Sequence, residues 1–581
     1  MLNKYFYNIS VTIVGIITAI FILTTIGGLF YIPVNSFYVL IPFIGGIYYL
    51  RKQSPENIDF LKQFLILLLI IMFSYIISVY VWDSSSDGRW YHSATLVMLK
   101  NGWLPIYHNY QEFAKICHVY PACAFFGTCY LHFTEIIGAN IYKMTGFIES
   151  AKTVNFIMLS VVFMYSYSVL REFKPENKII PLITSVIIIL NPVCICQWFT
   201  NFVDLHIYFS FALLVLTLIK IEFYKISTKT DLFMAVCSSL ILAMTKLTGC
   251  AYLFIISFIY FIYLILLKRN IKRYIKIILM VAVLIAVTGV NPFYTNLADY
   301  GHSFYPLFGK NKINIMDENL PLDFKNKSNA ERFIRSNFSD SVQSQGNVSS
   351  YIYPVEIKIP FTIHIKSPAY SFYYPDIRVG GFGYLWSGIL LLSLIYLPFI
   401  RFRNKNEKNI FWLVITMILI STFLNAHSWW TRLVPQFWLF PIFIMFFGLL
   451  QDNYKNKKSK ISKLSLLYIV LLSFIFNSLI VLFQNTEFSL KLTNLLKKPY
   501  EYIKFNKNSK DKILLIVRPD LENKIMADET IIPHLEEYFG KESIIYVPYE
   551  ENKIIMKEYI PIQYIYVLNN PCYFFKIEKK P

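Results

Sequence analysis

Charge is scarce in this chain. Of its 581 residues only 16% are Asp, Glu, Lys or Arg, where soluble domains carry about a quarter. That excludes an ordinary soluble enzyme, a disordered chain and a nucleic-acid-binding domain. Cysteine is sparse too. The eight Cys lie mostly in apolar stretches and form no CxxC pair, so neither a zinc site nor a disulfide framework is expected. Cys117, Cys123 and Cys129 are close enough in sequence to pair in an oxidising compartment, but small apolar packing is the simpler role. No GxxxxGK[ST], HExxH or GxSxG occurs. Phosphate-loop coupling and the common hydrolase chemistries therefore lack their signatures.

What is abundant is apolar surface: 56% of residues are hydrophobic and 18% aromatic. They come in runs of roughly 17–23 residues, enough to cross a hydrocarbon core of about 30 Å as helix. The expected fold is an all-α polytopic membrane protein. Thirteen spans can be drawn, near 9–31, 36–50, 60–82, 153–170, 178–196, 203–220, 231–248, 250–267, 276–291, 382–400, 409–425, 432–450 and 464–483. The first is too long for a signal-peptide core and is read as a span.

The surplus of Lys and Arg, 55 against 36 acidic residues, is a topology signal. Twenty-four of the 55 fall at the N-terminus or in six short connections, such as Lys268–Lys276 and Arg401–Lys408. The four short turns of the other side carry only Lys246 and Arg432. Basic short loops stay cytoplasmic, which puts the N-terminus inside and the C-terminus outside. For the spans to alternate, Tyr120–Gly146 must not cross, and it reads as amphipathic helix lying in the outer interface. The domain plan is two N-terminal spans (1–59), a membrane core (60–483) with outer loops 83–152 and 292–381, and an outer tail (484–581). In the tail, apolar runs at 513–517, 544–547 and 560–567 surround a helical stretch at 530–539, the pattern of a small α/β unit.

The densest polar cluster follows the third span: Trp82-Asp83-Ser84-Ser85-Ser86-Asp87-Gly88-Arg89-Trp90-Tyr91-His92. A carboxylate at the membrane boundary is partly desolvated and thereby made more basic, so Asp83 or Asp87 is a candidate general base toward a hydroxyl. Capping of the following helix is the plainer role for either. Asp204, Lys246 and Arg432 come to the same outer boundary although they are scattered along the chain. Each alone is explained by snorkelling. Together, a carboxylate base and outer cations suit transfer of a group from a lipid phosphate, which Arg can bind bidentately.

Asp87-Gly88-Arg89-Trp90-Tyr91-His92, Asn101-Gly102-Trp103-Leu104-Pro105, Asn191-Pro192 through Asp204, Asn291-Pro292, Gly380-Gly381-Phe382-Gly383 and Trp429-Trp430-Thr431-Arg432 occur in this order over residues 60–450. In this the chain resembles the GT-C superfamily of integral-membrane glycosyltransferases, and more closely its uncharacterised bacterial members. The resemblance implies an inverting sugar transfer at the outer face of the bacterial cytoplasmic membrane, for cell-envelope glycans. The donor would be a polyprenyl-phosphate sugar and the partner a membrane lipid, with no nucleic acid. It implies a catalytic Asp87 or Asp83, with Tyr91, His92, Asp204, Lys246 and Arg432 binding substrate. Members differ in metal use, and the spacing of the two carboxylates is not the usual chelating one, so a divalent cation stays open and no other cofactor is implied. An envelope-polysaccharide polymerase or ligase would lean instead on outer-loop Arg332, Arg335 and Arg378. A lipid-linked-sugar transporter or flippase would carry its charges near the midplane.

Overall fold

The computed structural model describes residues 2–83, 85–117, 121–225, 227–269, 271–314, 316, 319–343, 355–364, 372–450, 457–506, 511–517, 531–547, 560–561 and 573–578. Helices α1 (Leu2–Leu29), α2 (Phe37–Gln53) and α3 (Asn57–Tyr80) lead to the first large loop. That loop folds as α4 (Ser93–Lys100), α5 (Tyr110–Ile116), α6 (Pro121–Cys129) and α7 (Phe133–Thr145). Then come α8 (Thr153–Phe173), α9 (Ile179–Ile189), α10 (Pro192–Gln197), α11 (Asp204–Tyr224), α12 (Lys229–Thr245), α13 (Leu247–Leu266) and α14 (Lys272–Thr288). The second loop holds α15 (Thr295–Tyr300) and α16 (Asn329–Phe338), and the bundle resumes with α17 (Trp386–Tyr396), α18 (Lys405–Phe423), α19 (Leu439–Leu449) and α20 (Lys457–Asn506).

The described chain is mostly helical, as an apolar sequence in lipid requires, because a helix satisfies its own backbone polar groups. Six described helices are long and apolar enough to cross a membrane, or seven if the pair Lys272–Thr288 and Val290–Tyr300, bent by 74°, counts as one. Several of the other drawn spans are occupied by shorter pieces, for local reasons. The run 178–196 breaks at Asn191-Pro192, where Pro restarts a helix and the Asn191 side chain accepts from Val193 N–H at 3.0 Å. The run 432–450 becomes α-helical only at Leu439, after 3₁₀ turns at Thr431–Leu433 and Pro435–Trp438. Burial sorts the long helices: 78% of the apolar stretch of α11 is covered by protein, against 17% for α3. α11 is therefore a central pillar and α3 a peripheral helix.

The expected interfacial helix at 120–146 is instead broken in two. Its second half, α7, is covered by protein on most sides, with Phe133, Glu135, Ile137, Ala139, Asn140 and Tyr142 all buried. Asn140 explains part of this: its amide donates to Thr24 Oγ1 of α1 at 2.9 Å. Cys117 and Cys129 carry free thiols.

Segments from the basic connections gather at one end of the bundle. Arg403 donates to Phe173 O at 2.8 Å, Asn406 to Glu222 O at 3.1 Å, and Arg273 to Ser227 O at 3.1 Å. The C-terminal part lies at the opposite end, beside the first loop. Here α20 runs 23 residues past the drawn span end at 483, to Asn506. The last segments form a mixed sheet of order β4-β3-β6-β5, made of β3 (Lys512–Val517), β4 (Ile544–Val547), β5 (Ile560–Pro561) and β6 (Tyr573–Glu578). β3 pairs parallel with β4 and antiparallel with β6, with α21 (Ile531–Phe539) between β3 and β4 in sequence. The rest of the apolar run, 562–567, lies outside the described residues. A two-stranded pair in the second loop, β1 (Val342–Gln343) with β2 (Ile377–Val379), precedes the glycines that re-enter the bundle.

Candidate functional site

The first loop turns sharply where α3 ends. Asp83 is 1% exposed, and its carboxylate accepts from Ser85 N–H at 2.8 Å, Ser85 Oγ–H at 2.5 Å and Asn201 N–H at 2.7 Å. A β-carbon on Gly88 would lie 2.4 Å from Asp83 Oδ2 and 2.2 Å from Ser85 Oγ, so the turn closes only over glycine. Gly88–His92 is a single π-helical turn leading into α4. It moves Asp87 away from the knot that holds Asp83.

Asp87 faces Arg432, which donates to its Oδ2 at 3.3 Å. Two further carboxylates converge on the same guanidinium: Asp204 Oδ2 lies 3.5 Å and Asp376 Oδ1 3.3 Å from Arg432 Nε. Neither approach is aligned as a hydrogen bond, so the buried Nε–H has no acceptor. The outer partners complete the set. Lys246 Nζ is 2.6 Å from Asp204 Oδ1, Arg378 Nη2 is 3.0 Å from Asp376 Oδ2, and Trp430 Nε1 donates to Asp376 Oδ1 at 3.0 Å. Aromatic faces close the site: Arg432 lies 5.0 Å from the Phe202 ring centroid and 5.2 Å from that of Trp430, with Arg378 4.4 Å from Trp430.

Each group is delivered by a specific local device. Asp204 begins α11, where the positive helix end favours a carboxylate, and Gln197 Nε2 approaches its Oδ2 at 3.3 Å. Lys246 is the single extended residue between α12 and α13. That break is tight: a β-carbon on Gly249 would sit 1.9 Å from Leu242 O. Arg432 lies in the 3₁₀ turn Thr431–Leu433, pinned to the second loop by Thr431 Oγ1 donating to Arg378 O at 2.7 Å. A β-carbon on Gly381 would lie 2.8 Å from Thr431 Cβ, and 2.1 Å from Ile377 of its own segment, so glycine lets the second loop approach the Thr431 turn.

The charges balance, three carboxylates against Arg432, Lys246 and Arg378. Burial pushes the Asp376 carboxyl up, but Arg378 and Arg432 outweigh it and hold it below its ordinary value. Asp376, Asp204 and Asp87 together offset the cost of burying the Arg432 guanidinium. The Asp83 carboxyl is raised by burial, only partly opposed by Lys152. Side-chain exposure orders the three carboxylates: Asp204 at 4%, Asp376 at 17% and Asp87 at 24%. Asp87 is thus the one most open to a bound molecule. Among the described residues no three His, Cys, Asp or Glu side chains stand together as a metal site.

Of the residues singled out from sequence, Asp87, Asp204, Lys246 and Arg432 come together. Tyr91 joins their rim, its ring 5.8 Å from that of Tyr130 and 6.1 Å from Phe126. His92 turns away, its Nδ1 2.5 Å from Glu135 Oε1 in a buried pair. Asp83 is held in the neighbouring turn. Sequence reasoning missed Asp376 as a site member and named Arg378 only for the polymerase or ligase reading. The signal for them was the one that found Arg432: charged residues directly before a re-entering apolar run, here preceding Gly380-Gly381. The chain matches no protein family, no curated protein and no solved structure in comparison.

Proposed function

We propose that the chain is a membrane glycosyltransferase of GT-C type, moving a sugar from a polyprenyl-phosphate donor to an acceptor hydroxyl. One observation carries this reading: the most exposed carboxylate of a buried charge cluster, Asp87, is held by a guanidinium with donor capacity to spare. A lipid phosphate entering the site competes with Asp87 for Arg432 and gains a planar, bidentate cation. The exchange frees Asp87 beside the acceptor. Asp87 takes the hydroxyl proton as the acceptor oxygen attacks the anomeric carbon. The bond from that carbon to the phosphate oxygen breaks with inversion, and the lipid phosphate leaves with both electrons, held by Arg432 with Lys246 nearby. Asp204 and Asp376 keep Arg432 oriented, and the aromatic rim of Tyr91, Phe126 and Tyr130 suits an apolar sugar face.

In this reading thirteen segments cross the bacterial cytoplasmic membrane, the basic end faces the cytoplasm, and the Asp87 end and C-terminal α/β unit face outward. The test is transfer by purified protein offered a panel of polyprenyl-phosphate sugars, in wild type and Asp87→Asn. Loss of transfer in a folded variant is the expected result. Wild-type transfer by Asp87→Asn overturns the mechanism. Lipid flipping in vesicles without any transfer favours the transporter class instead.

A further inference from the structure

A second feature lies away from this cluster. A cavity of about 980 Å³ opens beside α13 and α14, at the upper end of the roughly 300–1,000 Å³ that small-molecule pockets occupy. Leu218 and Ala243 form its floor, Phe254 and Ile256 one wall, Ile278 and Val281 the other. Small residues at the floor, Ala235 and Ser239 besides Ala243, give it depth. Its flanks face outward from the bundle: Phe254 is 71% and Leu279 59% exposed. For a membrane helix that surface meets lipid. The cavity extends from Phe293 and Phe304 at the outer-loop end to Lys225, Arg269 and Arg273 at the end where the basic connections gather.

The charges at that basic end do not cancel. Glu222 is the one lining carboxylate. It is buried, accepts from Tyr260 Oη at 2.8 Å and Tyr263 Oη at 3.2 Å, and has Arg269 Nη2 at 4.0 Å. Among the described residues Lys225 and Arg273 have no carboxylate partner; Arg273 donates only to Ser227 O at 3.1 Å. Three cations against one carboxylate leave two positive charges at the mouth of an apolar slot. Tyr274 Oη donates to Ser257 O at 2.7 Å, bridging α14 to α13 and holding the slot's walls apart at a fixed separation.

We infer that this slot is a binding site for an anionic glycerophospholipid of the leaflet on the basic side. Its phosphate would sit at Arg269, Arg273 and Lys225, and its acyl chains would lie along α13 and α14. A soluble anion has no use for the apolar length. The donor of the proposed transfer is a poor fit, because its phosphate is needed at Arg432, at the other end of the bundle. The slot's charges and apolar length stand without the transfer reading; setting the polyprenyl donor aside rests on it.

The test is native mass spectrometry of the purified full chain with added phosphatidylglycerol, phosphatidylcholine, polyprenyl phosphate or inorganic phosphate. Wild type should retain one phosphatidylglycerol in preference to phosphatidylcholine. The double variant Arg269→Gln/Arg273→Gln should weaken its binding about 30-fold, from the usual contribution of each basic residue near an anionic lipid. Ala282→Trp, at an exposed lining position of α14, fills the slot without changing charge or core packing and should also displace the lipid. Binding unchanged in both variants overturns the proposal. So does a preference for polyprenyl phosphate, or displacement of phosphatidylglycerol by inorganic phosphate. A melting curve matching wild type for Ala282→Trp shows that its result reports the site rather than the fold.

Discussion

Asp83 and Asp87 stand four residues apart and look alike in sequence, yet replacing each by Asn should have opposite effects. At Asp83, Asn keeps one acceptor oxygen for Ser85, but its amide NH₂ then faces the N–H of Asn201, donor against donor. Leaving a buried donor unsatisfied costs about 1–3 kcal/mol, and at 1% exposure no water relieves it. At Asp87 the loss is one contact of 3.3 Å to Arg432 on a side chain 24% exposed. Asn still accepts there, and Asp204 and Asp376 still neutralise the guanidinium, so the stability cost should stay below about 1 kcal/mol. Transfer should fall by about 10²–10⁴ in Asp87→Asn, the usual cost of losing a general base. In Asp83→Asn, transfer per folded molecule should hold near wild type while the apparent melting temperature drops. The assay pairs thermal unfolding in nanodiscs with sugar transfer on the same preparations. A stable, inactive Asp83→Asn beside a fully active Asp87→Asn would refute the assignment of roles.

Arg432→Lys keeps the charge that holds three carboxylates together but loses the planar fork; the variant should fold, with KM for the lipid-linked donor raised about 10–100-fold, as loss of a charge-assisted hydrogen bond implies. Gly249→Ala forces the α12–α13 break open against Leu242 O, so Lys246 should leave Asp204 and transfer should fall without loss of charge, to be read by kinetics against Lys246→Ala. The docking of α21 on the first loop should weaken in alkali. Although burial pushes the His534 imidazole down, Glu149 and Glu537 raise it above its ordinary value. A raised imidazole contributes fully below about pH 6.5, and the contribution is lost as pH rises through the folded value. Protection factors at 531–543, which remove the intrinsic rise of exchange rate with pH, should therefore fall from pH 6 to pH 9, and His534→Gln should abolish that fall.

Membrane character and the sidedness of the charges were legible in the sequence because both follow from solvent. A chain with 16% charged residues cannot cover a water-soluble surface, and its cations sort to one set of short loops. Sidedness in turn grouped Asp87, Asp204, Lys246 and Arg432, which meet within 4 Å of one another's partners. The strand-length runs at 513–517 and 544–547 coincide with β3 and β4 and the start of the run at 560–567 with β5, whereas β6 had no such signal in the reading of the sequence. Only the tertiary structure separated Asp83 from Asp87. The π-helical turn at Gly88 and the approach of Asn201, more than a hundred residues away, bury one carboxylate and leave the other open. The same is true of Asp376 and Arg378, which reach Arg432 through the packing of Gly381 on Thr431, and of the slot beside α13 and α14. Composition and charge act through solvent, residue by residue, and can be read along the chain. Which carboxylate is satisfied and which is free depends on backbone donors that folding alone brings near.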